Sequence, residues 1–345
     1  MTASPTTLPP RRFAIAPMLD WTDRFYRHFA RLITRRTWLY TEMVTTGALI
    51  YGEREKFLRF DEIEHPIAIQ LGGSEVPDLV TCAKLAADWG YDEINLNVGC
   101  PSERVQSGAF GACLMAEPLL VADCLKAMQD RVDIPVTVKH RIGIDKIEEY
   151  GFLRDFVGQV HDRSGCQVFI VHARNAILKG LSPKENREIP PLKYDYVHQL
   201  KHDFPHLEIL INGGITCHDA IANHLQHVDG VMVGREAYHN PYWLAEVDAR
   251  YYGDDRQAPS RSEVIHAFMP FVESCLADNV PLPFITRHIL GLFQGQPGAR
   301  QWRRTLSDAP TLRKSDASAI TRALAVIEAV GRAHTPPPPD TAPCT

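Results

Sequence analysis

The sequence predicts a (β/α)8 barrel of the TIM class followed by an all-helical segment. Three observations carry that prediction. A short apolar strand followed by a helix recurs eight times between Phe13 and Arg250, in about 240 residues. Nearly every one of those strands stops at a polar residue or a glycine. After Tyr252 the strand pattern disappears and only helical periodicity remains. Strands alternating with helices pair in parallel through crossovers, and eight units suit a closed barrel better than an open sheet.

The elements follow in order. Met1–Arg11 is rich in Pro and Thr and is expected to be a disordered tail. The barrel is expected over residues 12–252. Its strands are placed at Phe13–Ala16, Trp38–Glu42, Ile67–Leu71, Ile94–Val98, Val136–Lys139, Val168–His172, Glu208–Asn212 and Gly230–Gly234. Helices are expected near Arg24–Ile33, Thr45–Tyr51, Val76–Trp89, Pro118–Arg131, Glu148–Val160, Tyr194–His202, Cys217–Leu225 and Tyr242–Arg250. A polar linker, GDDRQAPS, leads into a helical domain over 261–334, with helices at Arg261–Ala277, Pro283–Gln294, Arg300–Leu306 and Asp316–Ala333. Residues 335–345, TPPPPDTAPCT, are expected to be a disordered Pro-rich tail.

Composition narrows the class of protein. The 345 residues are 45% hydrophobic and 23% charged, an ordinary globular balance. No apolar run approaches the ~18 residues of a membrane span, and the start of the chain does not read as a secretory signal. The eight cysteines form no C-x-x-C pair, so neither a zinc site nor a disulfide framework is indicated, and a reducing cytoplasm is expected. A net charge of −5 leaves any nucleic-acid partner to a local basic face. Such a face is present: Asn279–Ser307 contains no Asp or Glu but holds Arg287, Arg300, Arg303 and Arg304, interleaved with Phe293 and Trp302.

Candidate chemistry gathers at the strand ends, where barrel enzymes carry their active sites. The expected ends are Met18, Glu42, Gln70, Asn97 with Cys100, Lys139, His172, Asn212-Gly213-Gly214 and Gly234-Arg235. The glycines after strands seven and eight let backbone N–H groups approach a phosphate, the following helix N-termini add partial positive charge, and Arg235 can pair with it. Gln70 offers both donor and acceptor to the edge of a ring. Lys139 at the pyrimidine end of a flavin would stabilise negative charge on the reduced ring. Pro17-Met18 would form a backbone shelf beneath it. A free cysteine usually just fills space. Cys100 is different because Gly99 and Pro101 force a turn around it, which argues against a core strand position.

These residues resemble the tRNA-dihydrouridine synthases. The resemblance rests on APMLDWTD (Ala16–Asp23), LNVGCPSERVQSGAFGACLM (Leu96–Met115), VKHRIG (Val138–Gly143), VHARNAILKGLSPKENREIPPL (Val171–Leu192), INGGI (Ile211–Ile215), VGREAYHNP (Val233–Pro241) and GLFQGQPGARQWRR (Gly291–Arg304). It spans roughly Phe13–Arg304 and is strongest to the subfamily that modifies tRNA positions 20 and 20a in the D-loop. It implies FMN held by Pro17, Met18, Leu19, Gln70, Lys139, His172, Asn212, Gly213, Gly214, Gly234 and Arg235. It implies NADPH as reductant and Cys100 as the proton donor. It also implies tRNA contacts by Asn97, Lys184, Arg187, Arg300 and Arg303. A monomer without an obligate protein partner or membrane contact is expected. Two rival readings remain at this point. Another FMN barrel acting on a free pyrimidine, in the manner of dihydroorotate dehydrogenase, would share the flavin site but not need the Arg-rich helices. A non-catalytic RNA-binding barrel would not need both Cys100 and Lys139.

Overall fold

A computed structural model describes residues 8–102, 105 and 108–334, the last three by backbone alone. Residues 1–7 and 335–345, expected to be disordered tails, lie outside the described residues. The eight strands are β1 (Phe13–Ile15), β2 (Leu39–Thr45), β3 (Ile67–Gly72), β4 (Glu93–Val98), β5 (Val136–Arg141), β6 (Val168–His172), β7 (Glu208–Asn212) and β8 (Gly230–Val233). All pair in parallel with their sequence neighbours, and β8 returns to pair with β1. Ile15 N–H to Trp38 O (2.9 Å) and Trp38 N–H to Phe13 O (3.1 Å) close β1 on β2. The sheet is a (β/α)8 barrel.

Strand alternation divides the core in two. One apolar face packs outward against the helices, with Ile69, Leu71, Ile94, Leu96, Val98, Phe169 and Val171 among its members. The inward face gives a second cluster: Ala14, Ala16, Trp38, Tyr40, Ala68, Val168, Ile170, Leu210 and Met232. β4 and β5 add nothing to that inner cluster. Their alternate residues, Glu93, Asn95 and Asn97, then Thr137, Lys139 and Arg141, are polar. One side of the barrel interior is therefore oily and the other is hydrogen-bonded.

The helices cover the outer face for local reasons. Arg24–Ile33 buries Tyr26, Phe29, Ala30 and Ile33, a 3.6-residue stripe, and Asp23 caps it by accepting from the N–H groups of Phe25 (3.0 Å) and Tyr26 (3.1 Å). Tyr150–Ser164 ends where Gly165 turns to φ 74°, a left-handed cap. Beyond the barrel, Arg261–Ala277 starts in a capping box between Ser260 and Glu263. Leu282–Thr286, Ala299–Ser307, Ala309–Leu312 and Ser318–His334 complete a helical region.

Several boundaries differ from expectation. β2 runs on to Thr45, so Glu42 lies within a strand, where its carboxylate accepts the Asp20 N–H (2.5 Å). β5 runs two residues past Lys139, because Arg141 is held by carbonyls of neighbouring loops. The helix expected at Pro283–Gln294 stops at Thr286 and gives way to tight i→i+3 turns. Gly291 there passes so close to the barrel that a Cβ would meet the carbonyl oxygen of His239 at 2.3 Å. Residues 8–11 do not behave as a free tail. Arg11 reaches under the barrel to Glu93 (2.6 Å) and Glu208 (3.0 Å), and the Trp38 indole N–H donates to Pro9 O (2.9 Å). No helix among the described residues is long and apolar enough to cross a membrane.

Candidate active site

The C-terminal strand ends surround a cavity of about 1010 Å³. Pro17, Met18, Leu19, Gln70, Asn97, Cys100, Lys139, His172, Asn212, Gly213, Gly214, Gly234, Arg235 and Arg187 all line it. Glu42, expected at the mouth, does not.

One end of the cavity suits an anion. Gly213 and Gly214 take φ 118° and 66°, conformations that side chains resist. A Cβ on Gly213 would meet His172 at 2.7 Å, and one on Gly214 would meet Leu192 at 2.6 Å, so the loop needs both glycines. The Gly214 N–H has no hydrogen-bond partner among the described residues. The Tyr194 hydroxyl donates to Gly213 O (2.7 Å) and braces the loop. The helices that follow are short, His218–His224 and Arg235–His239, so backbone N–H groups and guanidinium charge matter more here than a helix dipole. Arg235 pairs with Glu188 (2.8 Å), and Arg187 lies in the same wall. Partial desolvation against the cavity, and then the charge of Arg235, lower the pKa of the half-exposed Arg187 guanidinium.

The remaining lining groups include those expected to meet a ring edge. Lys139 donates to Asn212 Oδ1 (3.0 Å), and Asn212 in turn donates to Met232 O (2.8 Å). Burial, followed by repulsion from Arg141, brings the Lys139 pKa down to about 7. His172 is pushed well below its usual value, first by burial and then by Arg141 and Lys139, so the imidazole is neutral at pH 7. The Gln70 amide is already half committed: Nε2 donates to Asn95 Oδ1 (2.8 Å) and Oε1 accepts from Asn97 Nδ2 (2.8 Å). One N–H and one lone pair remain. The Met18 N–H is taken by the Thr22 hydroxyl (2.9 Å), so the expected shelf keeps its shape through that bond.

Cys100 sits half-buried on the turn after β4. Asn97 Oδ1 accepts from the N–H groups of Gly99 (3.1 Å) and Cys100 (2.9 Å), and Cys100 O accepts from Ala112 N–H (2.9 Å). Those bonds hold the thiol in the cavity wall, with the Ser102 hydroxyl at 3.6 Å. Asn97 thus lines the cavity with its carbonyl oxygen spent on the turn and one of its two amide N–H groups spent on Gln70.

Sequence reasoning missed Arg141. Its guanidinium donates to Gly99 O (3.2 Å), Asn175 O (3.2 Å) and Asn186 O (2.9 Å), tying the Cys100 turn to the long loop after β6. The signal was available: Thr137, Lys139 and Arg141 alternate, so Arg141 shares the inward face of Lys139. Lys184 and Arg187 lie on that same loop, both exposed. Arg300 and Arg303 lie outside the cavity on Ala299–Ser307, exposed and in no ion pair among the described residues. Two parts of the expected basic face turn out otherwise. Arg287 is engaged by Asp23 (2.7 Å). Trp302 and Phe293 are buried, their rings 4.8 Å apart, and the Trp302 indole N–H donates to Ile289 O (2.9 Å); they are core, not a stacking surface.

Residues 14–328 match the dihydrouridine synthase family. The chain belongs to that family. Curated relatives of this dihydrouridine synthase family member agree in length and sequence. The tRNA-dihydrouridine(20/20a) synthase of Vibrio vulnificus (strain CMCP6) is 57% identical over 316 residues, covering 92% of this chain and 97% of its own. The same-named proteins of Salmonella typhi (58%, covering 93% and 97%) and Pseudomonas aeruginosa (58%, covering 89% and 93%) are as similar. Among solved structures, a 2-naphthoyl-CoA reductase complex matches with a TM-score of 0.55 at 10% identity, over 68% of this chain and 49% of that one. At that identity the likeness shows the barrel fold alone.

Proposed function

We propose that this chain reduces uridine to 5,6-dihydrouridine at positions 20 and 20a of the tRNA D-loop, using FMN and NADPH. The observation that supports it best is that Cys100 and Lys139 line the same cavity as the Gly213-Gly214 loop and Arg235. Relatives of nearly full coverage carry the tRNA-dihydrouridine(20/20a) synthase name.

The residues fit FMN. A loop that only glycine can form, a Gly214 N–H with no partner among the described residues and the guanidinium of Arg235 suit its phosphate. Gln70, Lys139, His172 and Asn212 would meet the ring edge, with Pro17, Met18, Leu19, Gly213 and Gly234 around it. Held by these residues and reduced by NADPH, FMN would supply a hydride for C6 of the uracil ring.

The chain does the rest. The Cys100 thiol gives C5 its proton, acting as general acid from a turn locked by Asn97. Lys139 holds positive charge beside the ring edge. The target uridine must leave its stack to reach the cavity, so recognition is of tRNA shape and backbone. Arg187 at the cavity, Lys184 on the same exposed loop, and Arg300 and Arg303 on the helical region are proposed as phosphate contacts. In this reading residues 12–252 are the catalytic barrel and 261–334 the tRNA-binding domain of a cytoplasmic monomer.

The test is direct. Purified protein should be yellow, and with NADPH it should convert uridine at positions 20 and 20a of unmodified tRNA. Turnover of a free pyrimidine with none of tRNA would favour the rival flavin barrel.

A further inference from the structure

A line of buried polar side chains runs through the barrel from its base to the Cys100 turn. At the base, Arg11 pairs with Glu93 Oε2 (2.6 Å), and Glu93 Oε1 accepts from the hydroxyls of Tyr40 (2.7 Å) and Thr137 (2.7 Å). Thr137 Oγ1 accepts from Asn95 Nδ2 (2.8 Å), and Asn95 Oδ1 accepts from Gln70 Nε2 (2.8 Å). Gln70 Oε1 accepts from Asn97 Nδ2 (2.8 Å), and Asn97 Oδ1 accepts from the Gly99 and Cys100 N–H groups. Glu93, Asn95 and Thr137 are 0% exposed and Gln70 is 1% exposed, so water cannot substitute for the bonds among these four.

The line has one direction, set at both ends. A carboxylate paired with a guanidinium only accepts, so the single hydroxyl hydrogen of Thr137 goes to Glu93. Thr137 can then only accept from Asn95, which turns the Asn95 carbonyl to Gln70. At the far end, two backbone N–H groups can only donate, which turns the Asn97 carbonyl to them and its NH2 to Gln70. Both constraints demand the same Gln70 orientation: oxygen toward Asn97, nitrogen toward Asn95. A free glutamine amide could turn over; this one cannot without leaving two buried groups unpaired.

We propose that Thr137 and Asn95 are positioning residues for the cavity: they fix which face of the Gln70 amide meets the ring edge and, through Asn97, they hold the Cys100 turn. Neither residue lines the cavity, so neither touches the ligand. The inference rests on the flavin reading above.

Thr137→Val keeps the shape of the side chain and removes the hydroxyl. Asn95 then loses its acceptor and is free to turn its amide, so the Gln70 orientation is fixed from the Asn97 end alone. Purified holoprotein is diluted, and flavin release and visible circular dichroism, which reports ring environment, are followed beside the thermal midpoint. Release from Thr137→Val should be about tenfold faster, the size of one buried hydrogen bond lost. Its visible dichroism should be altered, and Thr137→Ser, which restores the hydroxyl, should return both toward wild type. A purely structural role would lower the thermal midpoint while leaving both flavin readouts of the folded protein unchanged, and that result overturns the proposal. Should Thr137→Val not fold, Asn95→Ser decides: it is too short to span Thr137 and Gln70, and wild-type release and dichroism there would overturn the relay. A wild-type protein that binds no flavin overturns the function reading and the relay together. Wild-type protein that holds flavin beside an unaffected variant overturns the relay alone.

Discussion

Cys100 and Lys139 are held by different means, and each makes a separate prediction. The Cys100 turn is fixed by backbone bonds to Asn97 and Ala112, not by packing of its sulfur. Cys100→Ala should therefore keep the fold, flavin content and NADPH oxidation, with a packing loss below the ~2 kcal/mol of a large core truncation. Flavin reoxidation by tRNA should slow about 10²–10⁴-fold, the usual contribution of a general acid. Cys100→Ser should also be slow, a hydroxyl being a far weaker acid. Anaerobic reoxidation at the wild-type rate would assign the proton to another group. Lys139 predicts a pH dependence. Its pKa in the folded protein is about 7 against an ordinary 10.5. Between those values the unfolded chain holds the extra proton, so this group's contribution to stability rises with pH across that window. An anionic ligand beside the ammonium reverses the shift and binds with proton uptake. Reduced flavin should thus be held more tightly at pH 6 than at pH 8.5, and Lys139→Met should flatten that slope. A wild-type slope that survives in Lys139→Met would remove the charge from the account.

At the scale of elements, the loops after β4 and β6 are joined by one side chain. Arg141 donates to carbonyls of Gly99, Asn175 and Asn186, and burial, helped by repulsion from Arg187 and Arg174, leaves its pKa lowered to about 10. Arg141→Met keeps the apolar stem and removes three charge-assisted hydrogen bonds, each worth roughly 1.5–3 kcal/mol. The variant should lose at least about 3 kcal/mol in a denaturant titration, allowing for partial rescue by water. Cleavage by trypsin should concentrate in residues 173–193, and an unchanged midpoint and cleavage pattern would show the tie to be idle. This tie was readable only in part. Period-two alternation in ValThrValLysHisArg puts Arg141 on the inward face with Lys139, yet only tertiary contact reveals which carbonyls it meets. The strands were legible because each is short, apolar and stopped by glycine or a polar residue. The stretch Arg287–Gln294 was not, because its turns answer to the close passage of Gly291 against His239, which no local pattern encodes. The polar inner face of β4 was visible as GluIleAsnLeuAsnVal, but its meaning depends on Thr137 arriving from the neighbouring strand.

The whole molecule is acidic, with a net charge of −5, yet must hold a polyanion if it acts on tRNA. The helical region resolves this locally. Of the four arginines between Asn279 and Ser307, Arg287 is spent on Asp23, which joins the helical region to the cap of Arg24–Ile33. Arg300, Arg303 and Arg304 are exposed, while Trp302 between them anchors the helix in the core. A helix pinned by one buried tryptophan presents its cations at little entropic cost, because the backbone is already ordered. Each phosphate contact releases condensed counterions, and the affinity falls with salt in proportion to the number of contacts. Arg300→Ala and Arg303→Ala should each weaken tRNA binding and lower the slope of log K against log salt by roughly 0.7–0.9. The double variant should lower it by about twice that. NADPH oxidation should be unchanged, since both residues lie outside the cavity. Binding measured between 50 and 300 mM salt (about the range over which such slopes are read) separates a lost contact from a lost fold. A slope that stays at the wild-type value in the double variant would move the tRNA surface away from Ala299–Ser307 and leave Lys184 and Arg187, on the loop after β6, to carry it.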